Sequence, residues 1–481
     1  MQKNYLLILT LLLILSACGG GGGSKKSSVT EIEELDQNIS FQESNKTVTI
    51  YVHGYQKAGY PRENDYGRDW DNTLFRNLEK FTNLPAKLLP DIARLDKKNF
   101  TPFLTSVDYY GAIPPSYYNQ DDIDEVDAIS EKYNEGIPRY ALIVAKFIKH
   151  IIKETGADRV NIVSVSMGSF VTRWMIEKNL EDLASDKRIE KWMSVEGVIR
   201  GNYALSEFGD NIFLNLFFTG SPETEQMKYK WIKENLTPNP EKMESPYYKD
   251  ILVGEISLTD GTQSTSILKY LLVNDFKPND GIQIFRDTYF ESTDTAMQLP
   301  SHTILHGDHV QIKENSSSFA NIATFLEAKK RVKITLLDAT VTDIHESISF
   351  SNKGSEIIFE SSIASQKAKE RWEIKDSIDQ RVYESGILGL YNYDEAGKTY
   401  KLNQTIFNGF VLKDEDKLEI TIEGLELDKA SIYDISETNK VSSKESLGRA
   451  TIRVELQNAT YPISAEDWSG HIKVELIEMQ K

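Results

Sequence analysis

The strongest pattern of apolar and polar positions lies at Arg159–Asn179. Val160, Ile162, Val163 and Val165 form a short β-branched run, the composition of a strand buried on both faces of a parallel sheet. Ser166-Met167-Gly168-Ser169 then predicts a sharp turn. Phe170, Val171, Trp174, Met175 and Ile176 follow at helical spacing, with Arg173, Glu177 and Lys178 among the polar positions. The flanking sequence continues the alternation of strands and helices. Thr47–Val52 and Phe103–Tyr110 read as strands, Trp70–Phe81 as a short helix, and Arg139–Glu154 as a helix stopped by Gly156. Lys191–Val195 reads as the next strand. About residues 200–265 the rhythm breaks, with an apolar cluster at Phe213–Phe218 followed by Pro222, Pro238, Pro240 and Pro246. Ile267–Val273 returns as a strand, and Ser317–Lys330 reads as a closing helix.

From Val332 the period changes to two. Leu418–Ile422, Ile452–Leu456 and Ile472–Leu476 alternate apolar and polar residues between turn-rich gaps, the pattern of an all-β sandwich. The expected fold is therefore an α/β domain over residues 45–330, a mostly parallel sheet flanked by helices, followed by a β-sandwich over residues 331–481. A length of 481 residues also asks for more than one core.

The charge balance, 55 basic against 73 acidic residues for a net charge of −18, disfavours nucleic acid, whose phosphates demand a basic face. The acidic run Asp121, Asp122, Asp124, Glu125 and Asp127 has the carboxylates of a calcium loop but not the glycine-turned EF-hand spacing, so a solvated acidic loop is expected. No His-Glu-x-x-His, paired cysteine or strand-linked glycine fingerprint is present, so no metal or cofactor is expected.

Chemistry centres on Ser166. A strand, a serine at a tight turn and a helix make the setting of a nucleophile elbow, whose strained angles require small residues two positions away. Gly168 meets this on one side, and Ser164 stands where glycine is usual. The order of four features, His53-Gly54 after a strand, Ser166-Met167-Gly168, Asn279-Asp280-Gly281 and His306-Gly307-Asp308-His309, resembles the α/β-hydrolase superfamily, and within it the bacterial lipases and esterases. The resemblance covers Thr47 to Ala328. It implies Ser166 as nucleophile, His309 as base with His306 as the alternative, and Asp280 as acid with Asp275 and Glu196 as alternatives. His302, inside an apparent strand, is the weakest base. The resemblance further implies that the backbone N–H groups of Tyr55 and Met167 bind the oxyanion. The insertion at about 200–265 resembles a lipase cap or lid, although an ordinary packed subdomain fits it equally. Ser446-Leu447-Gly448 faintly resembles C2 domains. The implied activity is hydrolysis of lipid or other carboxylic esters. A fold that has kept its pocket and lost its chemistry, acting in binding or adhesion, is the alternative.

The only cysteine, Cys18, follows Lys3, the apolar run Tyr5–Leu15 and Leu15-Ser16-Ala17, the layout of a secretory signal. Leu-Ser-Ala-Cys resembles a bacterial lipobox. That implies removal of residues 1–17, lipidation of Cys18 and a flexible tether over residues 18–44, rich in Gly and Ser. The expected partner is thus a bacterial membrane, and Gly19 rather than Asp after the cysteine favours the outer membrane or cell surface.

Overall fold

The β-branched run Val160–Val165 forms the third strand of a large mixed sheet. The computed structural model describes residues 44–56, 64–208, 221–259, 279–293, 299–305, 307–327, 330–343, 355–372, 383–393, 396–427 and 444–477. Residues 1–43, with Cys18 and the expected tether, lie outside these, as do Phe213–Phe218, Ile267–Val273, Asp275 and His306. The strands are β1 Thr47–Val52, β2 Leu104–Val107, β3 Arg159–Val165, β4 Ile189–Val195, β5 Lys242–Met243, β6 Leu252–Leu258, β7 Ser292–Thr293 and β8 Ser301–Leu305, then β9 Lys330–Val341, β10 Ser355–Ala364, β11 Tyr383–Tyr393, β12 Thr399–Val411, β13 Lys417–Leu427, β14 Lys444–Glu455, β15 Ala459–Ser464 and β16 Trp468–Ile477.

The large sheet has the order β15-β16-β9-β12-β8-β6-β4-β3-β1-β2. From β2 to β8 every pairing is parallel. From β8 through β12, β9, β16 and β15 every pairing is antiparallel. The parallel strands are apolar on both faces because both faces are covered. Val48, Ile50 and Val52 of β1 join Ile162 in one layer with Ile143, Phe147 and Phe170 of the helices Ile137–Thr155 and Met167–Glu177. Tyr51, Val163 and Val165 face the other way, against Phe75, Leu78, Phe319 and Phe325 of the helices Thr73–Thr82 and Ser316–Glu327. Among the described residues no helix is long and apolar enough to cross a membrane.

The chain lays down β1, steps to β2 on one side, then crosses to β3 on the other. The sheet order reverses there, and in open α/β sheets the crevice beyond the carboxyl ends of strands at such a reversal is where ligands bind. His53-Gly54 leaves β1 at that point and Ser166 leaves β3.

Two elements differ from the sequence pattern. The strand β6 lies inside the segment expected to interrupt the α/β rhythm, and it pairs between β4 and β8 in the middle of the sheet. Gly254, Glu255 and Ser257 break its apolar run and hid it. Gly254 is needed because a Cβ there would sit 2.7 Å from the Phe325 ring. Glu255 is buried, accepts the Phe290 N–H at 2.9 Å, and is pushed up to about 8 by that burial. The acidic run Asp121–Asp127 is not a loop but the first turns of the helix Gln120–Tyr133, capped reciprocally by Asn119 and Asp122. Its carboxylates are organised by Lys146, itself nearly buried, whose Nζ lies 2.6 Å from Asp122, 2.6 Å from Glu125 and 2.7 Å from Glu181.

The residues after 330 form two antiparallel sheets, β15-β16-β9-β12 at the end of the large sheet and β11-β10-β13-β14. Ile334, Leu336, Ile472 and Trp468 of the first and Phe359, Ile420 and Ile422 of the second share one apolar cluster. The first of these sheets is not set apart from the parallel strands, because Asn408 of β12 pairs with His302 of β8. Buried Arg331 donates to Asn408 Oδ1 at 3.0 Å and to the Leu299 carbonyl at 2.7 Å, and Asn408 donates to the Pro300 carbonyl at 3.2 Å. Replacing Arg331 with Met should therefore lower unfolding free energy by about 2–3 kcal/mol, the scale of charge-assisted hydrogen bonds left unpaired in the interior. Urea titration measures this, and a loss below about 0.5 kcal/mol, the scale of a neutral surface change, would contradict it.

Candidate active site

Ser166 stands between β3 and the helix Met167–Glu177 with φ 54° and ψ −127°. That left-handed backbone costs a non-glycine residue about 1–3 kcal/mol and persists only where its surroundings enforce it. The enforcement is visible. The Ser166 N–H donates to the Val195 carbonyl at 2.9 Å, and its carbonyl accepts from Ser169 at 3.0 Å and Val198 at 3.2 Å. Gly168 passes so close to β1 that a Cβ would meet the His53 carbonyl oxygen at 2.3 Å and that of Val52 at 2.6 Å. Ser164, in the other small-residue position, uses its hydroxyl. It accepts the Trp192 indole N–H at 2.8 Å and donates to Ser169 Oγ at 3.1 Å. Gly197 takes up the crowding on the far side, where a Cβ would lie 2.0 Å from Ser194 Oγ and 2.7 Å from Ser169 Cβ.

His309 follows β8 through Gly307 and opens the short helix His309–Glu314. Its Nε2 lies 2.9 Å from Ser166 Oγ. Its Nδ1 faces two carboxylates, Asp280 Oδ2 at 2.7 Å and Glu196 Oε2 at 2.8 Å. The His309 N–H also donates to the Asp280 carbonyl at 2.9 Å, so backbone and side chain fix one another. Asp280 Oδ1 caps the turn after it, accepting from Ile282 at 2.8 Å and Gln283 at 2.6 Å. Glu196 extends β4 with φ 52°, and its carbonyl accepts the Gln283 side-chain amide at 3.0 Å. Both carboxylates are buried; Ser166 is partly exposed.

Burial pushes the Glu196 carboxyl well above the usual carboxylate range, and the neighbouring Asp280 charge pushes it further. Burial would also raise Asp280, but the His309 charge and hydrogen bonds from Glu196, His309 and the Gln283 amide bring it below that range. Burial alone would lower His309, yet the two acids outweigh it and hold the imidazolium well above 6.5. One imidazole and two carboxylates are also a possible ligand set, their donor atoms lying within 4.8 Å of one another. The geometry is that of direct hydrogen bonds instead. Ligands sharing a tetrahedral ion at 2.0–2.2 Å would stand about 3.3 Å apart, further than these N···O contacts.

His53 is occupied in other contacts. It is buried, its Nδ1 lies 2.7 Å from the Gly54 carbonyl, and its ring stacks on Tyr109 with centroids 4.1 Å apart. Tyr109 donates to the His53 carbonyl at 2.6 Å, bracing the loop over the elbow. A Cβ on Gly54 would lie 3.0 Å from Ser166 Cβ and 3.5 Å from Ser166 Oγ, so the backbone leading to Tyr55 runs directly past the serine. Met167 begins the helix on the other side, buried.

Of the residues singled out by sequence, the structure brings together Ser166, His309, Asp280 and Glu196, with Gly54-Tyr55 and Met167 beside them. His302 is elsewhere. Its Nε2 lies 2.8 Å from Ser257 Oγ, the ring is stacked 4.6 Å from Tyr289, and burial lowers it to about 3. His306 and Asp275 lie outside the described residues. The sequence reading missed Gln283, which ties the Asp280 turn to Glu196. Its position three residues after Asp280, within an Asn-Asp-Gly turn, was the only available signal.

No family model matches the chain, and no curated protein does. Solved structures with similar arrangements include a Bacillus licheniformis lipase in mature form, at 13% identity with a TM-score of 0.34, covering 57% of this chain and 90% of that one. Phospholipase PlaB from Legionella pneumophila gives 10% identity and a TM-score of 0.36, over 79% and 86%. A C2 domain of plant extended synaptotagmin 1 gives 6% and 0.18, over 32% and 99%. Likenesses this distant leave the chemistry to be read from the residues themselves.

The imidazole makes a direct check possible. In 15N-detected NMR spectra His309 should protonate above pH 6.5; a midpoint at or below 6.5 would contradict the geometry. Because the native ring holds its proton more tightly than the unfolded one, its contribution to stability is fully present below about pH 6.5 and is lost as pH rises through the native midpoint.

Proposed function

We propose that this chain is an exported serine hydrolase that cleaves carboxylic esters, with lipid esters as the expected substrates and a lipid anchor on Cys18. The observation that carries the chemistry is the 2.9 Å contact between Ser166 Oγ and His309 Nε2, on a ring whose Nδ1 rests against buried carboxylates. A serine hydroxyl is a weak nucleophile until a positioned base removes its proton. Here the base is in reach, and its other nitrogen is held so that Nε2 points at the serine.

In this reading Ser166 Oγ attacks the acyl carbon as its proton passes to His309 Nε2. Asp280 accepts the Nδ1–H and stabilises the imidazolium. The Met167 and Tyr55 N–H groups receive the charge that builds on the carbonyl oxygen. The tetrahedral intermediate collapses when Nε2 returns the proton to the leaving alkoxide, releasing the alcohol and leaving an acyl-serine. Water then loses a proton to Nε2, attacks the acyl carbon and restores Ser166 as the carboxylic acid departs. Only the neutral ring can accept the serine proton, so turnover should rise with pH through the raised His309 midpoint.

The lipid preference rests on two sequence features outside the described residues, the apolar cluster Phe213–Phe218 and the lipobox-like approach to Cys18. Both suit an enzyme held at a membrane surface. The antiparallel sheets after residue 330 are read as a β-sandwich module joined to an α/β-hydrolase domain.

Ser166→Ala should lower kcat for a short-chain nitrophenyl ester by at least ~10⁴-fold while leaving the circular dichroism spectrum unchanged; undiminished turnover would refute the assignment. Cys18→Ser should move the full-length protein from the membrane to the soluble fraction of bacteria expressing it, and retention in the membrane fraction would count against the anchor.

A further inference from the structure

His309 Nδ1 carries a single hydrogen, yet two carboxylate oxygens lie within hydrogen-bond distance of it, at 2.7 Å and 2.8 Å. The acids arrive from different parts of the chain. Glu196 follows β4, Asp280 lies in the turn before Gly281, and 280 − 196 = 84 residues separate them. Glu196 takes up a left-handed backbone, φ 52°, to reach the ring, and Gln283 clamps its carbonyl. Neither residue is a bystander of the other's turn.

We propose that Glu196 is a second acid for His309: it shares one proton with Asp280, the pair presents a single negative charge to Nδ1, and Glu196 ionises in place of Asp280 when that charge is removed. The proposal rests on the hydrolase reading above.

Two ionised carboxylates this close, in a dry interior, repel unless cations neutralise them, and carboxylates in this position share a proton instead. Among the described residues the only cationic group within ion-pair distance of either is His309 itself. The contacts also say which acid keeps the proton. Asp280 has Oδ1 on two backbone N–H groups and Oδ2 on the ring, the environment of an ionised carboxylate. Glu196 Oε1 is buried with no partner, a cost far smaller for a neutral carboxyl than for a charged one. The Glu196 O–H thus donates to Asp280, a hydrogen bond that favours the ionised aspartate. If Asp280 loses its charge, the repulsion that held the proton on Glu196 goes with it, and the ring cation is left to offset the burial that still disfavours the ionised form. Its Oε2 already lies 2.8 Å from Nδ1, so it can accept the ring N–H without moving.

Glu196 acts through His309 and is a positioning residue, so the test is one of coupling. Activity on a short-chain nitrophenyl ester would be compared for wild type, Glu196→Gln, Asp280→Asn and the double variant, across pH. Glu196→Gln should cost less than about tenfold in the wild-type background and at least about a hundredfold in the Asp280→Asn background, because only there is the last negative partner of the ring removed. The acid limb of the pH profile should move to lower pH in the double variant alone. Equal cost in both backgrounds would overturn the proposal, as would Glu196→Gln falling as far as Asp280→Asn, which would make glutamate the ionised acid. If the asparagine variants fail to fold, infrared spectroscopy decides. The wild type at neutral pH should show a protonated-carboxyl stretch that Glu196→Gln lacks, and no such difference would overturn the shared proton. Undiminished turnover by Ser166→Ala would instead overturn the hydrolase reading, and the infrared difference would still report on the proton.

Discussion

The close approach of β1 and β3 at the point where the sheet order reverses is the constraint on which the site depends. Gly54 passes against Ser166 and Gly168 against the carbonyls of Val52 and His53, with no space for a Cβ at the second of these positions. That crowding is what holds a serine in a left-handed conformation. A strained backbone of this kind is not stable on its own, and it is the neighbouring strands that make it so. Val195, Ser169 and Val198 take its hydrogen bonds, and Trp192 anchors the serine two residues before it. The hydroxyl is thereby presented at the open end of the sheet, where loops from the later strands can meet it.

Those loops answer with charge. The ring of His309 is fixed at both ends, by Ser166 on one nitrogen and by buried acids on the other. An imidazole in an apolar interior would ordinarily shed its proton readily; here Asp280 and Glu196 reverse that tendency. The strand that leads to His309 is in turn held from outside the parallel run. β8 starts at Ser301, just after the Leu299 and Pro300 carbonyls that Arg331 and Asn408 occupy. Among the described residues the antiparallel strands thus reach the candidate site through one strand end, without contributing a side chain to it.

How much of this could be read in the sequence depended on whether each element obeyed a period. β3 and its elbow were legible because Val160, Ile162, Val163 and Val165 are β-branched and because small residues, Ser164 and Gly168, stand two positions to either side of Ser166. The helix Ile137–Thr155 was legible because its apolar positions repeat at helical spacing up to a glycine stop. β6 was not, because a glycine that makes room for Phe325 and a buried glutamate interrupt it. The acidic helix Gln120–Tyr133 was hidden for a related reason: its carboxylates are paired by a lysine from another helix, a contact no local pattern records. The candidate acids were all visible as residue types, but the simultaneous approach of Asp280 and Glu196 to one nitrogen is a property of the folded loops. The Gln283 clamp and the Trp192–Ser164 contact are likewise long-range pairings of ordinary residues.

The central claim is that Ser166 is an activated nucleophile. Treating the protein with an organophosphate ester and mapping the adduct by peptide mass spectrometry measures this without assuming a substrate. The account predicts a single phosphorylated site at Ser166, formed faster as pH rises through the His309 midpoint. An unmodified protein, or an adduct on any other residue with Ser166 untouched, would contradict it.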